Sequence, residues 1–421
     1  VLVVAGGGAL MVAFVFQTLA QRRPDLDAGV FAYAAAGFGP LAGFVAAFGY
    51  WAGACLLNVS YFVLMKATFG AIVPAFGHGN TPQAVIAASA LLWGIHVLIL
   101  RGVREAAVVN AIVTVAKVSA VAAAIVVLAL GFRLEVFTAN MWGGGTYGWA
   151  DLPGQLRPAL VIAVYVFLGI EGASVYSRFA KKRTDVGRAT LLGLAIVALL
   201  FILLSLLPFG VLPRAEIAAL RYPSLGGVLA AVVGPWGSWF VGIALVTALS
   251  GAFLARSLLA AEVLHAAAKA GTVPRALART DTHGTPRTAL WLSTAVVQAF
   301  LLVSLVAESA YAGAIRLTSV MMLVPYLFVA LFALQLVRRE GGRRREAVIA
   351  GSAAAYALLV LGAAGPMLLL AATLVYAPAT LVYAFARGRS AAGAEGETVA
   401  MLALATLAAA AALALFVGGL A

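Results

Sequence analysis

Cysteine and charge are what this chain of 421 residues has least of. Cys55 is its one cysteine, so it can form neither a disulfide framework nor a cysteine-built metal site. The four histidines, at 78, 96, 265 and 283, are scattered, and no Walker-type phosphate loop occurs. No metal site or cofactor is implied, and ATP-driven work by this chain alone is not expected. Charged residues make up only 10%, against about 25% in a soluble domain. With 64% hydrophobic residues and a mean hydropathy of +1.06, a soluble globular domain is excluded.

What is present instead is apolar length. A helix needs roughly 20 apolar residues to cross the hydrocarbon core. Twelve stretches read as spans, near 1–19, 40–69, 84–101, 106–132, 157–177, 189–212, 234–266, 286–306, 310–337, 346–364, 366–386 and 398–420; only the first is slightly short. This is an all-α polytopic membrane bundle rather than a string of soluble domains.

The net charge of +13 follows the same pattern. If the spans alternate, 20 of the 28 Lys and Arg fall on one side, with clusters at 178–188 and 338–345. The other side receives Arg133, Arg157, Arg214 and Arg221, while Lys66, Lys117, Arg256 and Arg316 stay within or at the ends of spans. Such a bias is the positive-inside pattern. It predicts a multi-pass protein of the cytoplasmic (inner) cell membrane, with the basic loops cytoplasmic and residues 1 and 421 external. The positive charge thus reports orientation in a lipid bilayer, and a nucleic-acid partner is not expected. An even number of spans with an external start predicts one more helix upstream of Val1.

Two segments resemble each other. AYAAAGFGPLAGF (32–44) enters one long span and GVLAAVVGPWGSWF (227–240) enters another, each with Gly-Pro at the helix start, where proline is tolerated. An odd number of spans between them would make the copies inverted, an architecture common among secondary transporters. The stretch AVYVFLGIEGASVYSRFAKKRTDVGR (163–188) is apolar yet carries Gly169, Glu171, Gly172 and Ser174 at its centre. A carboxylate at membrane depth is costly and marks a substrate or proton path. Glycines beside it let a helix break and free backbone groups that line a cavity.

These residues, with RRPDLDAGVFAYAAAGFGPLAGF, YWAGACLLNVSYFVL, LLAAEVLHAAAKAGTVP and SVMMLVPYLF, resemble the amino acid–polyamine–organocation superfamily. Within it they are most similar to the basic amino acid/polyamine antiporters that exchange arginine for ornithine or agmatine. The resemblance implies a five-plus-five inverted-repeat transporter fold in which this chain begins at the family's second helix. Residues 1–132 would form the first repeat, 133–156 an external loop, 157–337 the second repeat and 338–421 three further helices. It also implies sodium-independent exchange of a small amino acid or amine, and leaves room for a homodimer.

The resemblance assigns roles to particular residues. Unwound backbone at Tyr165, Phe167, Leu168, Gly169 and Ile170 would hold the carboxylate and ammonium of an amino acid. Glu171 would be the proton-sensitive carboxylate. Lys117, mid-helix, would stand where sodium-coupled relatives bind a cation. Asn58 would contact the distal group of the substrate, near Tyr50, and Thr318 matches a pocket serine. Arg256 departs from the family's usual tryptophan. At that depth it needs a carboxylate, from Glu171 or the substrate, and it would repel a basic ligand by about 4 kcal/mol at 4 Å in an intermediate dielectric. A proton-coupled permease for neutral or acidic amino acids therefore stays open beside the antiporter, as does a non-transporting or channel-like homologue. An enzyme is not expected, because no second acid or nucleophile–base pair accompanies Glu171.

Overall fold

The computed structural model describes residues 2–26, 29–77, 79–141, 152–169, 183–221, 223–282, 284–305, 310–387 and 395–418. The secondary structure described is helical throughout. In chain order the α-helices are α1 (Leu2–Arg22), α2 (Val30–Phe38), α3 (Pro40–Ile72), α4 (Pro82–Arg101), α5 (Val103–Leu130), α6 (Leu134–Met141), α7 (Leu152–Phe167) and α8 (Arg183–Leu206). There follow α9 (Arg214–Ala219), α10 (Ser224–Val233), α11 (Trp236–Lys269), α12 (Arg287–Val303), α13 (Ala310–Arg339), α14 (Arg344–Ala364), α15 (Pro366–Arg387) and α16 (Glu395–Gly418).

Among the described residues each of the twelve expected spans overlaps a helix. Among the described residues nine are long and apolar enough to cross a bilayer; α7, α12 and α16 are the exceptions. The segment expected as an external loop, 133–156, contains α6 and the start of α7. The span expected at 157–177 is described only to Gly169, two residues beyond the end of α7 at Phe167.

Burial sorts the helices into layers. The apolar window of α3 is 72% buried, whereas that of α8 is 6% buried. Leu192, Ile196 and Leu199 on α8, and Ile112, Val115 and Val126 on α5, are exposed. An exposed apolar helix of this length suits acyl chains, since its backbone bonds are satisfied internally. The core lies around α3, where Phe44, Tyr50 and Phe62 are fully buried.

The two similar segments adopt the same backbone. The helix α2 stops at Gly39 (φ 90°, ψ 177°) and α3 begins at Pro40. The helix α10 stops at Gly234 (φ 85°, ψ −176°), Pro235 follows, and α11 begins at Trp236. Each glycine N–H closes the helix before it, on the carbonyls of Ala35 and Ala230. That region of φ and ψ is essentially restricted to glycine. Packing partners exchange in the same way: α3 packs on α13 as α11 packs on α5, α2 on α13 as α10 on α5, and α3 on α12 as α11 on α4.

Candidate functional site

The end of α7 is the focus. There the Leu168 N–H reaches the Tyr165 carbonyl, at 3.4 Å. Gly169 then takes φ +118°, a conformation that a side chain would strain. The sequence stops the helix here because glycine alone enters that region cheaply. The result is a helix C-terminus, with its partial negative charge, facing the middle helices of the bundle. Ile170 and Glu171 lie outside the described residues, as do Gly172 and Ser174.

Arg256 of α11 meets this end. Its Nη2 donates to the Leu168 carbonyl at 2.9 Å, and its Nη1 donates to the Tyr50 hydroxyl of α3 at 3.4 Å. The residue is 8% exposed. The partners seen here are a carbonyl dipole and a phenol. The helix C-terminus at Leu168 supplies part of the negative potential around the guanidinium, while Glu171, the carboxylate expected beside it, lies outside the described residues. A Cβ on Gly169 would lie 2.9 Å from the same Nη2, so the close approach also needs glycine.

Two helical turns along, α3 supplies further polar groups. The Ser60 hydroxyl donates to the Leu57 carbonyl at 2.7 Å and shares a 2.5 Å hydrogen bond with the Tyr165 hydroxyl. With the serine proton used within its own helix, Tyr165 is the donor, and the bond ties α7 to α3. Asn58 is buried and its Nδ2 donates to the Ser257 hydroxyl of α11 at 3.2 Å. Its Oδ1 has no hydrogen-bond partner among the described residues. A buried acceptor left open costs about 1–3 kcal/mol, so such atoms normally wait for a ligand or water. Thr318 of α13 is also fully buried, and its hydroxyl has no hydrogen-bond partner among the described residues. Its neighbour Ser319 donates to the Val161 carbonyl at 2.9 Å, tying α13 to α7.

The structure thus brings Tyr50, Asn58, Tyr165, Leu168, Gly169 and Arg256 together where α3, α7 and α11 meet. The Phe167 side chain turns elsewhere. It packs in a cluster with Ala5, Ala9, Ala163 and Leu194, against α1 and α8. A cavity of about 350 Å³ lies on that side, lined by Phe167, Leu168, Gly169, Thr190 and Leu194. Lys117 is half-buried on a cavity of about 100 Å³ with apolar walls from α5, α8, α10 and α11, including Ala120, Leu204, Leu225 and Phe240. Those walls do not include α7.

Sequence reasoning missed Ser60, Ser257 and Lys66. Ser60 and Ser257 stand close in sequence to Asn58 and Arg256, and a hydroxyl beside a polar residue inside a span was the available signal. Lys66 is 2% exposed, and its Nζ donates to the Ser304 hydroxyl just beyond α12 at 2.6 Å. Among the described residues no group of three or more His, Cys, Asp or Glu side chains is placed to hold a metal ion.

The chain is similar to known amino-acid transport proteins. The chain is 43% identical over 393 residues, 90% of it and 82% of the relative, to a protein named arginine/ornithine antiporter from Pseudomonas aeruginosa. It is 41% identical over 342 residues, 80% of it and 68% of the relative, to the L-lysine transport protein of Corynebacterium glutamicum. It is 35% identical over 335 residues, 78% of it and 69% of the relative, to the arginine/agmatine antiporter of Chlamydia felis. Residues 1–375 match the family model described as amino acid permease, within the amino acid–polyamine–organocation superfamily, and this multi-pass membrane protein belongs to that family.

Proposed function

We propose that the protein is a secondary active antiporter that exchanges amino acids, or an amino acid and an amine, across the cell membrane. The observation that carries this reading is the end of α7. A helix stops at Phe167 in an apolar bundle, Gly169 takes a positive φ, and the Leu168 carbonyl between them meets the buried Arg256 of α11. Bundles of this kind place half-helix ends at the ions and polar groups of their substrates. The relatives named for arginine, ornithine, agmatine and lysine support a cationic amino acid as the first substrate class to test.

The repeats run over 1–132 and 157–337 in this reading, with 338–421 as an added unit and the basic loops on the cytoplasmic side. The shared backbone at Gly39 and Gly234 supports the repeat. Glu171 is assigned the proton-sensitive step and Lys117 a fixed cation in place of sodium. Replacing sodium by choline should leave exchange unchanged, whereas Glu171→Gln should flatten its pH dependence. The relatives' names, all of transport proteins, support transport rather than an enzymatic role.

Counterflow in proteoliposomes tests the reading. Ornithine loaded inside should accelerate uptake of labelled arginine severalfold over empty vesicles. Equal uptake into loaded and empty vesicles would indicate a channel or a uniporter instead.

A further inference from the structure

We infer that Arg256 is a tethered competitor for the substrate's α-ammonium, and so sets how strongly this site favours ligands carrying that group. The inference rests on the amino-acid reading above and deepens it. The Leu168 carbonyl stands at the C-terminal end of a half-helix, the kind of dipole end that receives a cation in a broken-helix site. In this structure that carbonyl already receives a cation: Arg256 Nη2, at 2.9 Å. The same guanidinium is steadied from α3 by the Tyr50 hydroxyl at 3.4 Å. Gly169 leaves space for it, since a Cβ there would come within 2.9 Å of Nη2.

An ammonium and a guanidinium cannot share one carbonyl end in a medium of low dielectric without strong repulsion. A substrate whose ammonium takes the Leu168 carbonyl must therefore move Arg256 aside. Its apparent affinity falls by the fraction of molecules in which the carbonyl is vacant. A ligand without an α-ammonium meets no such contest. The wild-type protein should then distinguish an amino acid from its des-amino analogue poorly, and removal of the guanidinium should sharpen the distinction.

The test is equilibrium binding to the purified full chain, using L-arginine against δ-guanidinovalerate and L-ornithine against δ-aminovalerate. Arg256→Met keeps the length of the side chain and removes both charge and donor. It should tighten arginine and ornithine about tenfold or more while changing the des-amino analogues less than twofold. Arg256→Gln retains a neutral donor for the carbonyl and should give a smaller gain in the same direction, so it serves if the methionine variant does not fold. An unchanged ratio of amino acid to des-amino analogue in either folded variant would overturn the proposal, as would an equal shift of both. If no amino acid or amine binds to wild type or variant, the antiporter reading fails first and takes this one with it.

Discussion

Gly39 and Gly234 lie 195 positions apart and have almost the same backbone angles, φ 90° and 85° with ψ 177° and −176°. Each ends a short, half-buried helix and is followed by a proline at the start of a long one. No atom lies within 4 Å of a Cβ built on either glycine, so the only penalty for a side chain is its own backbone strain. Such strain is of order 1–3 kcal/mol. Gly39→Ala and Gly234→Ala should therefore lower thermal stability in detergent by similar amounts. A large loss at one site with none at the other would break the correspondence.

The bond between Ser60 and Tyr165 joins the central helix to the end of α7. Ser60→Ala and Tyr165→Phe should each destabilise the protein by about 1 kcal/mol, the usual net value of a hydrogen bond, and the double variant should cost little more than either. A double-mutant cycle on unfolding midpoints reads this directly. Full additivity would mean that the two hydroxyls are not coupled.

Lys66 and Ser304 form a second buried polar pair. The serine proton goes to the Leu301 carbonyl at 2.6 Å, leaving its oxygen to accept from the lysine ammonium. Ser304→Ala strips the ammonium of its one hydrogen-bond partner among the described residues, at a cost of about 1–3 kcal/mol. Lys66→Met replaces the pair with apolar volume and should be nearly neutral or stabilising, as is common for buried charges. Unfolding midpoints of the two variants should thus move apart. A large loss in Lys66→Met would point to a role for the charge beyond packing.

Acid sensitivity has a local source between α1 and α2. Arg23 donates twice to Asp25, at 2.9 and 2.6 Å, and holds its carboxyl below the ordinary range. A carboxylate lowered in the folded state gives stability that is present above its unfolded pKa and is lost as pH falls through the folded one. The loss should therefore begin only below about pH 4, the ordinary range of aspartate. Because the pair faces water, Asp25→Asn should change stability at neutral pH little, and added salt should erase the difference. Unfolding midpoints across the acid range, at low and high salt, check both points.

Much of the architecture was legible in the sequence because spans depend on apolar length, and glycine with proline punctuates them. Each of the twelve stretches overlaps a helix among the described residues, and the Gly-Pro junctions are where the chain turns from α2 to α3 and from α10 to α11. The short helices themselves were not separated, since apolar residues continue across the junctions. A break in this span was expected from Gly169 and Gly172 beside Glu171, and α7 ends at Phe167, two residues before the first of these glycines. The neighbours of that end were less so, because pairings such as Ser60 with Tyr165 and Ser257 with Asn58 join residues 105 and 199 positions apart. Arg256 was recognised as out of place at its depth, but its bond to the Leu168 carbonyl was not legible. A backbone carbonyl carries no signature in a sequence. The depth of Lys117 was readable, whereas which helices wall its cavity was not, because periodicity gives a face and not its neighbour.

The central claim is that the interruption of α7 at Leu168–Gly169 forms the exchange site, and Gly169 is the position that tests it most directly. Counterflow of labelled arginine into ornithine-loaded vesicles should be compared for wild type, Gly169→Ala and Gly169→Val, each first shown to be monodisperse in detergent. The account predicts severalfold stimulation by internal ornithine in the wild type, a marked loss with alanine and none remaining with valine. Wild-type exchange in a folded Gly169→Val protein would contradict it.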